Sequence, residues 1–142
     1  MKVRDAMSRK VKAASPGDSV RDVARIMASH DVGVVPIVAE GIVDGMVTDR
    51  VIVIRVVAQG RNVDAPISES MTSPVEFCSE DDDLDAATEK MARLQVRRLV
   101  VVDANQRLAG ILSLGDVAQE NSAGETGRAL EEITEPGGRH SH

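Results

Sequence analysis

Residues 95–118 read QVRRLVVVDANQRLAGILSLGDVA, and their pattern decides the fold. The stretch opens on Arg97-Arg98 and runs through the apolar Leu99-Val100-Val101-Val102 before turning at Asp103-Ala104-Asn105-Gln106. A second apolar run, Leu108 to Leu112, ends in Ser113-Leu114-Gly115-Asp116. Two apolar runs joined by a polar turn predict a hairpin. A hydroxyl followed three residues later by a carboxylate predicts the start of a helix. A cationic pair, a hydroxyl and an acid thus come close together, as in half of a nucleotide pocket.

The rest of the chain contains the same pattern once more. At a shift of 64 residues Met7-Ser8 meets Met71-Thr72, Ser15 meets Ser79, Asp18 meets Asp82, Met27-Ala28 meets Met91-Ala92 and Val38 meets Val102. One extra residue in the second hairpin turn makes the shift 65, and then Gly45 meets Gly110, Thr48 meets Ser113 and Ile52 meets Val117. Matches spread over a whole unit with one change of register mark an internal duplication.

Each copy reads as β-α-β-β-α. A short extended piece comes first, Val11 to Ala14 and then Val75 to Cys78. Val20, Val23, Ala24 and Met27 form one helical stripe, and Leu84, Ala87, Thr88 and Met91 form the other. Ser15 with Asp18, and Ser79 with Asp82, have capping-box spacing, and Pro16 suits a first turn. The strands are expected at Val34 to Val38, Ile42 to Val47, Leu99 to Val102 and Leu108 to Leu112, with a second helix after Thr48 and after Ser113. A unit of about 60 residues buries too little surface to be comfortable alone. The expected fold class is therefore α+β, two repeats packed as one pseudo-twofold module. Its expected spans are residues 1–60, a linker 61–67, residues 68–121, and a mobile C-terminal tail 122–142. Within the tail Arg128 to Ile133 is a candidate short helix, stopped by Pro136-Gly137-Gly138.

Composition narrows the function classes. The 142 residues hold one Phe and no Tyr or Trp, so the core is aliphatic and base stacking on rings is not available. The net charge of −6 opposes a polyanionic partner, so no nucleic-acid partner is expected, although a local basic patch is permitted; no membrane partner is expected either. A nucleic-acid regulator using Arg50, Arg55, Arg97 and Arg98 is disfavoured on both grounds. Cys78 is the single cysteine, which fits a reducing compartment. No signal-peptide core and no membrane-length apolar run are seen, so a cytoplasmic location is expected.

Gly45-Met46-Val47-Thr48-Asp49-Arg50 and Gly110-Ile111-Leu112-Ser113-Leu114-Gly115-Asp116, each behind an apolar hairpin, resemble the two halves of a tandem cystathionine-β-synthase (CBS) domain pair, or Bateman module. The resemblance spans roughly residues 1 to 120. It implies a stand-alone regulatory module rather than an enzyme, binding an adenine nucleotide (AMP, ADP or ATP) in a cleft between the repeats. It also implies a disc-like homodimer and an effector protein whose identity the sequence does not give. S-adenosylmethionine is the alternative adenosyl ligand, and a ligand-free dimerisation module is the alternative function. Carried over residue by residue, Asp116 takes the ribose hydroxyls and Ser113 a ribose or phosphate oxygen. Arg98 and Arg97 face phosphate, and Val75 and Ile111 line the adenine slot. Thr48 and Asp49 are the corresponding candidates in the first copy.

The residue types suit these roles. One carboxylate accepts from two adjacent ribose hydroxyls, and charge-assisted bonds are the strong ones. Free amides and the positive dipole end at a helix start favour an anion beside Ser113. A guanidinium offers a planar fork to phosphate. The first copy departs from the pattern, with Val51 in the place of Asp116 and Gly33-Val34 in the place of Arg97-Arg98. One competent site per chain is the expectation.

Simpler roles exist for the same residues. Ser113 with Asp116 makes a capping box, Thr48 a plain N-cap, and Arg97-Arg98 a solvated pair at a strand start. Glu80-Asp81-Asp82-Asp83 fits the dipole of a helix's first turn better than a metal site. No metal and no catalytic cofactor are expected. Cys78, Met27 and Met91 read as core, His30 as a helix end, and His140 and His142 as tail residues. No nucleophilic triad, glycine-rich phosphate loop or catalytic carboxylate pair can be assembled.

Overall fold

The computed structural model describes residues 1–120, so the expected tail and its candidate helix lie outside the described residues. The chain divides into two compact units. Among the described residues one is Val11–Val75; the other joins Met1–Lys10 to residues 76–120.

In the first unit α2, Val20–His30, buries Val20, Val23 and Met27 as the stripe predicts. Its N-cap is Ser19 rather than Ser15. The Asp22 amide donates to Ser19 Oγ at 3.0 Å and the Ser19 amide to Asp22 Oδ2 at 3.4 Å. Ser15 and Asp18 make a separate turn before the helix, the Ser15 amide donating to Asp18 Oδ2 at 2.9 Å. Two serines four residues apart each have an acid at capping distance, and the one adjoining the apolar stripe caps the helix. At the other end Asp31 takes the left-handed conformation, φ 52°, and ends the helix.

Strands β1, Val34–Ala39, and β2, Ile42–Thr48, pair antiparallel from Val34 opposite Thr48, with a bulge between Ile37 and Val38. Glu40 and Gly41 both have positive φ, 53° and 82°, the geometry of a two-residue hairpin turn that follows the strand twist. The expected extended piece narrows to a parallel bridge of Ala14 with Ile37 on one edge of this hairpin. Thr72 bridges Met46 on the other edge. Ile67, placed in the linker by its sequence position, is fully buried in this unit's core. After Thr48 the chain enters α3, Asp49–Ile52, which continues as a π-helical turn over Val53–Val57.

The second unit repeats this order. Strand β3, Phe77–Ser79, runs parallel to β4, Arg98–Val102, and β4 pairs antiparallel with β5, Leu108–Ser113. Helix α4, Leu84–Leu94, buries the expected Leu84, Ala87, Thr88 and Met91. Its N-cap is Asp83, without a side-chain cap bond. The acids Glu80 to Asp83 therefore precede the helix instead of filling its first turn. They meet the N-terminal segment, where Arg4 pairs with Asp81 and the Met1 ammonium lies 3.9 Å from Asp83. A short helix α1, Val3–Ala6, carries Val3 into this unit's core with no exposed surface, and Ser8 bridges Ile111 on β5. The last described element, α5, is Leu114–Glu120.

The two units thus have matching edges. Each hairpin is bordered by the same part of the other copy of the sequence, Met7-Ser8 along Gly110-Ile111 and Met71-Thr72 along Gly45-Met46. Both glycines are required by that approach. A Cβ on Gly110 would stand 2.4 Å from the Ser8 carbonyl oxygen, and one on Gly45 2.9 Å from that of Thr72. Each core is aliphatic apart from Cys78.

Candidate functional site

Strand pairing brings the candidate residues of the second unit together. Arg98 stands opposite Ser113 in the β4–β5 register, and the Leu114 amide donates to the Arg97 carbonyl at 3.0 Å. The two arginines and the Ser113–Asp116 turn therefore share one end of one hairpin. Ile111 lies two residues back on β5, half-buried, with its amide and carbonyl both bonded to Ser8. Val75, Thr48 and Asp49 belong to the first unit.

Ser113 and Asp116 form a capping box. The Ser113 amide donates to Asp116 Oδ2 at 3.0 Å, and the Asp116 amide donates to Ser113 Oγ at 3.1 Å. The Asp116 amide and the Leu114 amide are thus engaged within the protein and are not free to meet an anion. The box uses one carboxylate oxygen and holds the group in a fixed direction, leaving Oδ1 outside it. Both side chains are half-buried. The simpler reading of the spacing is therefore realised, and it leaves one acceptor for a further partner.

Arg97 is also half-buried, and its Nε is shielded from solvent with no hydrogen-bond partner among the described residues. A buried donor left unsatisfied costs on the order of 1–3 kcal/mol. Arg98 leads β4 and is half-buried as well.

In the first unit Thr48 is an N-cap, Oγ1 accepting from the Val51 amide at 3.2 Å. The bond matches that between Ser113 and Asp116, so Val51 occupies the acid's place in the fold as it does in the sequence. Asp49 Oδ1 accepts from the Arg50 amide at 2.8 Å. Its carboxylate lies over Gly33, a placement that the sequence pattern did not reveal because it depends on the register of the hairpin.

Cys78 is buried in the second unit's core. Burial first, then the Asp82 carboxylate, push its thiol up to about 11 against the opposing pull of Lys90, so the thiol stays protonated and unreactive near neutral pH. Among the described residues no group of three or more His, Cys, Asp or Glu is placed to hold a metal ion. His140 and His142 lie outside the described residues. No helix among the described residues is long and apolar enough to cross a membrane.

Known proteins share both the sequence and the fold. The CBS domain family matches twice, over residues 3–57 and 65–122. The CBS domain-containing protein YhcV of Bacillus subtilis is 39% identical over 133 residues, 93% of this chain and 94% of that protein. The crystal structure of Hypoxic Response Protein I with two coordinated zinc ions superposes with a TM-score of 0.78 at 28% identity, covering 86% of this chain and all of that one (100%). A sequence match of 30% over 82% of this chain and 82% of the relative assigns Hypoxic response protein 1 to Mycobacterium tuberculosis. The CBS domain pair of protein MJ0100, solved with 5′-methylthioadenosine and S-adenosylmethionine, gives a TM-score of 0.75 at 29% identity over 84% of this chain and 94% of that chain. With two family matches in register with the two copies in its sequence, the chain belongs to the CBS-domain family.

Proposed function

We propose that the chain is a regulatory module that binds an adenosyl ligand at the end of the second unit's hairpin. The observation that carries this reading is the convergence of Arg97, Arg98, Ser113 and Asp116 there by strand pairing. In this reading Asp116 Oδ1 accepts from the ribose hydroxyls, with the capping box supplying its orientation. Arg97 Nε and the Arg98 guanidinium meet the phosphate of AMP, ADP or ATP, while Ile111 contacts the adenine. The MJ0100 pair, solved with two adenosyl ligands, supports the ligand class, and the paired arginines favour a phosphorylated member of it. Ligand binding shifts how the module presents itself to an effector protein, by no more than the ligand's differential affinity for the two states. A homodimer in the cytoplasm is the proposed setting.

A second reading is favoured by the capping box itself, which accounts for Ser113 and Asp116 without any ligand. In that reading the module is an assembly scaffold. Thermal unfolding with AMP, ATP and S-adenosylmethionine separates the two. A ligand at 100 times its Kd stabilises by about 2.7 kcal/mol, so one of the three raises the Tm of the wild type under the sensor reading. No shift with any of them supports the scaffold.

A further inference from the structure

The same backbone bond closes both hairpins. The Asp49 amide donates to the Gly33 carbonyl at 3.0 Å in the first unit, and the Leu114 amide to the Arg97 carbonyl at 3.0 Å in the second. Gly33 and Arg97 therefore occupy equivalent places, and so do Asp49 and Leu114. Their charges are opposed. The second unit sets a guanidinium at one place and an uncharged leucine at the other. The first unit has no side chain at residue 33 and a carboxylate lying over it. A Cβ on Gly33 would stand 3.2 Å from Asp49 Oδ2 and 3.5 Å from Oδ1, so any side chain there would crowd the acid in its present place. The carboxylate is fixed, since Oδ1 accepts from the Arg50 amide. The Arg50 side chain is exposed, and among the described residues Asp49 makes no ion pair.

A phosphate arriving at this half-buried place meets a like charge that salt screens less than it would at the open surface. We propose that Asp49 is a charge-selecting residue that denies the first unit a phosphorylated ligand, so that the anionic ligand is confined to the second unit. Gly33 is its enabling partner, making room for the carboxylate. The inference rests on the adenosyl reading above and goes beyond it. The first unit lacks the second unit's acid and cations, and in addition it repels the phosphate actively.

Calorimetry on the full chain with AMP and with uncharged 5′-methylthioadenosine tests this. Val51→Asp supplies the acid that the first unit lacks, and Val51→Asp/Asp49→Asn also removes the repelling charge. Val51→Asn, an uncharged acceptor, replaces Val51→Asp in both variants if the latter fails to fold. We expect Val51→Asp to gain a second site for 5′-methylthioadenosine and none for AMP. The double variant gains a second site for both. A second AMP site in Val51→Asp as tight as that for 5′-methylthioadenosine overturns the inference. So does the absence of a new site for either ligand in both variants. A wild type that binds neither ligand removes the adenosyl reading, and the inference falls with it.

Discussion

Ser8 and Ile111 exchange two backbone hydrogen bonds, at 2.9 and 3.0 Å, although they stand near opposite ends of the described chain. Through this bridge the first residues of the protein cover the edge of β5 and place Val3 and Met7 in the second unit's core. An open strand edge is a template for aberrant pairing, so covering it serves solubility as well as stability. Gly110 permits the approach. Gly110→Ala puts a methyl group 2.4 Å from a backbone oxygen that has little freedom to yield, and we expect a loss of about 2–3 kcal/mol. Gly17→Ala, where a Cβ meets nothing within 4 Å, is the control and should leave the Tm within about a degree. Equal melting temperatures for the two variants would contradict the account of this edge.

The cap of α2 makes a second prediction. Ser19→Ala removes the acceptor for the Asp22 amide and should cost about 1 kcal/mol, lowering the Tm by roughly 3 °C. Ser15→Ala should cost less, because Ser15 contributes its backbone amide, not its hydroxyl, to the bond with Asp18. Chemical denaturation of both variants checks the order.

The hairpins and helix stripes were legible because periodicity reports burial directly. Val20, Val23 and Met27, and likewise Leu84, Ala87 and Met91, lie on the faces their spacing predicts. Other features depend on which surface a segment meets, and periodicity is silent on that. Val3, Met7, Ile67 and Met71 are visibly apolar, yet nothing in their spacing says which hairpin each segment borders. Ser15 and Ser19 have equal claims to the cap until the first helical residue is known. At the candidate site the types and spacing of Arg97, Arg98, Ser113 and Asp116 were readable, and pairing then placed them side by side. Neither the Asp49–Gly33 contact nor the bond from Leu114 to Arg97 was readable, because each follows from hairpin register.

Cys78 makes a prediction in pH. Its folded value of about 11 lies above the ordinary 9.0, so the folded state holds the thiol proton more tightly than the unfolded chain does. The stabilisation is fully present below pH 9.0 and is lost as the pH rises through about 11. Stability to urea should fall across that window in the wild type and less in Cys78→Ala, compared by the slope of stability against pH. Thiol labelling of the native protein at pH 8 should be slow and should accelerate on unfolding. Fast labelling of the native protein would contradict the burial.

The central claim is that Asp116 serves a ligand as well as its own helix, and calorimetric titration of AMP into the wild type and Asp116→Asn tests it most directly. Asparagine keeps an acceptor for the Ser113 amide but removes the charge, so the ligand-free Tm should change by no more than about 1 °C. Hydrogen bonds to charged groups contribute about 1.5–3 kcal/mol, which predicts one AMP site per chain in the wild type and binding at least about tenfold weaker in Asp116→Asn. Equal AMP affinity in the two proteins would show that the carboxylate does nothing beyond capping α5, and would contradict the account.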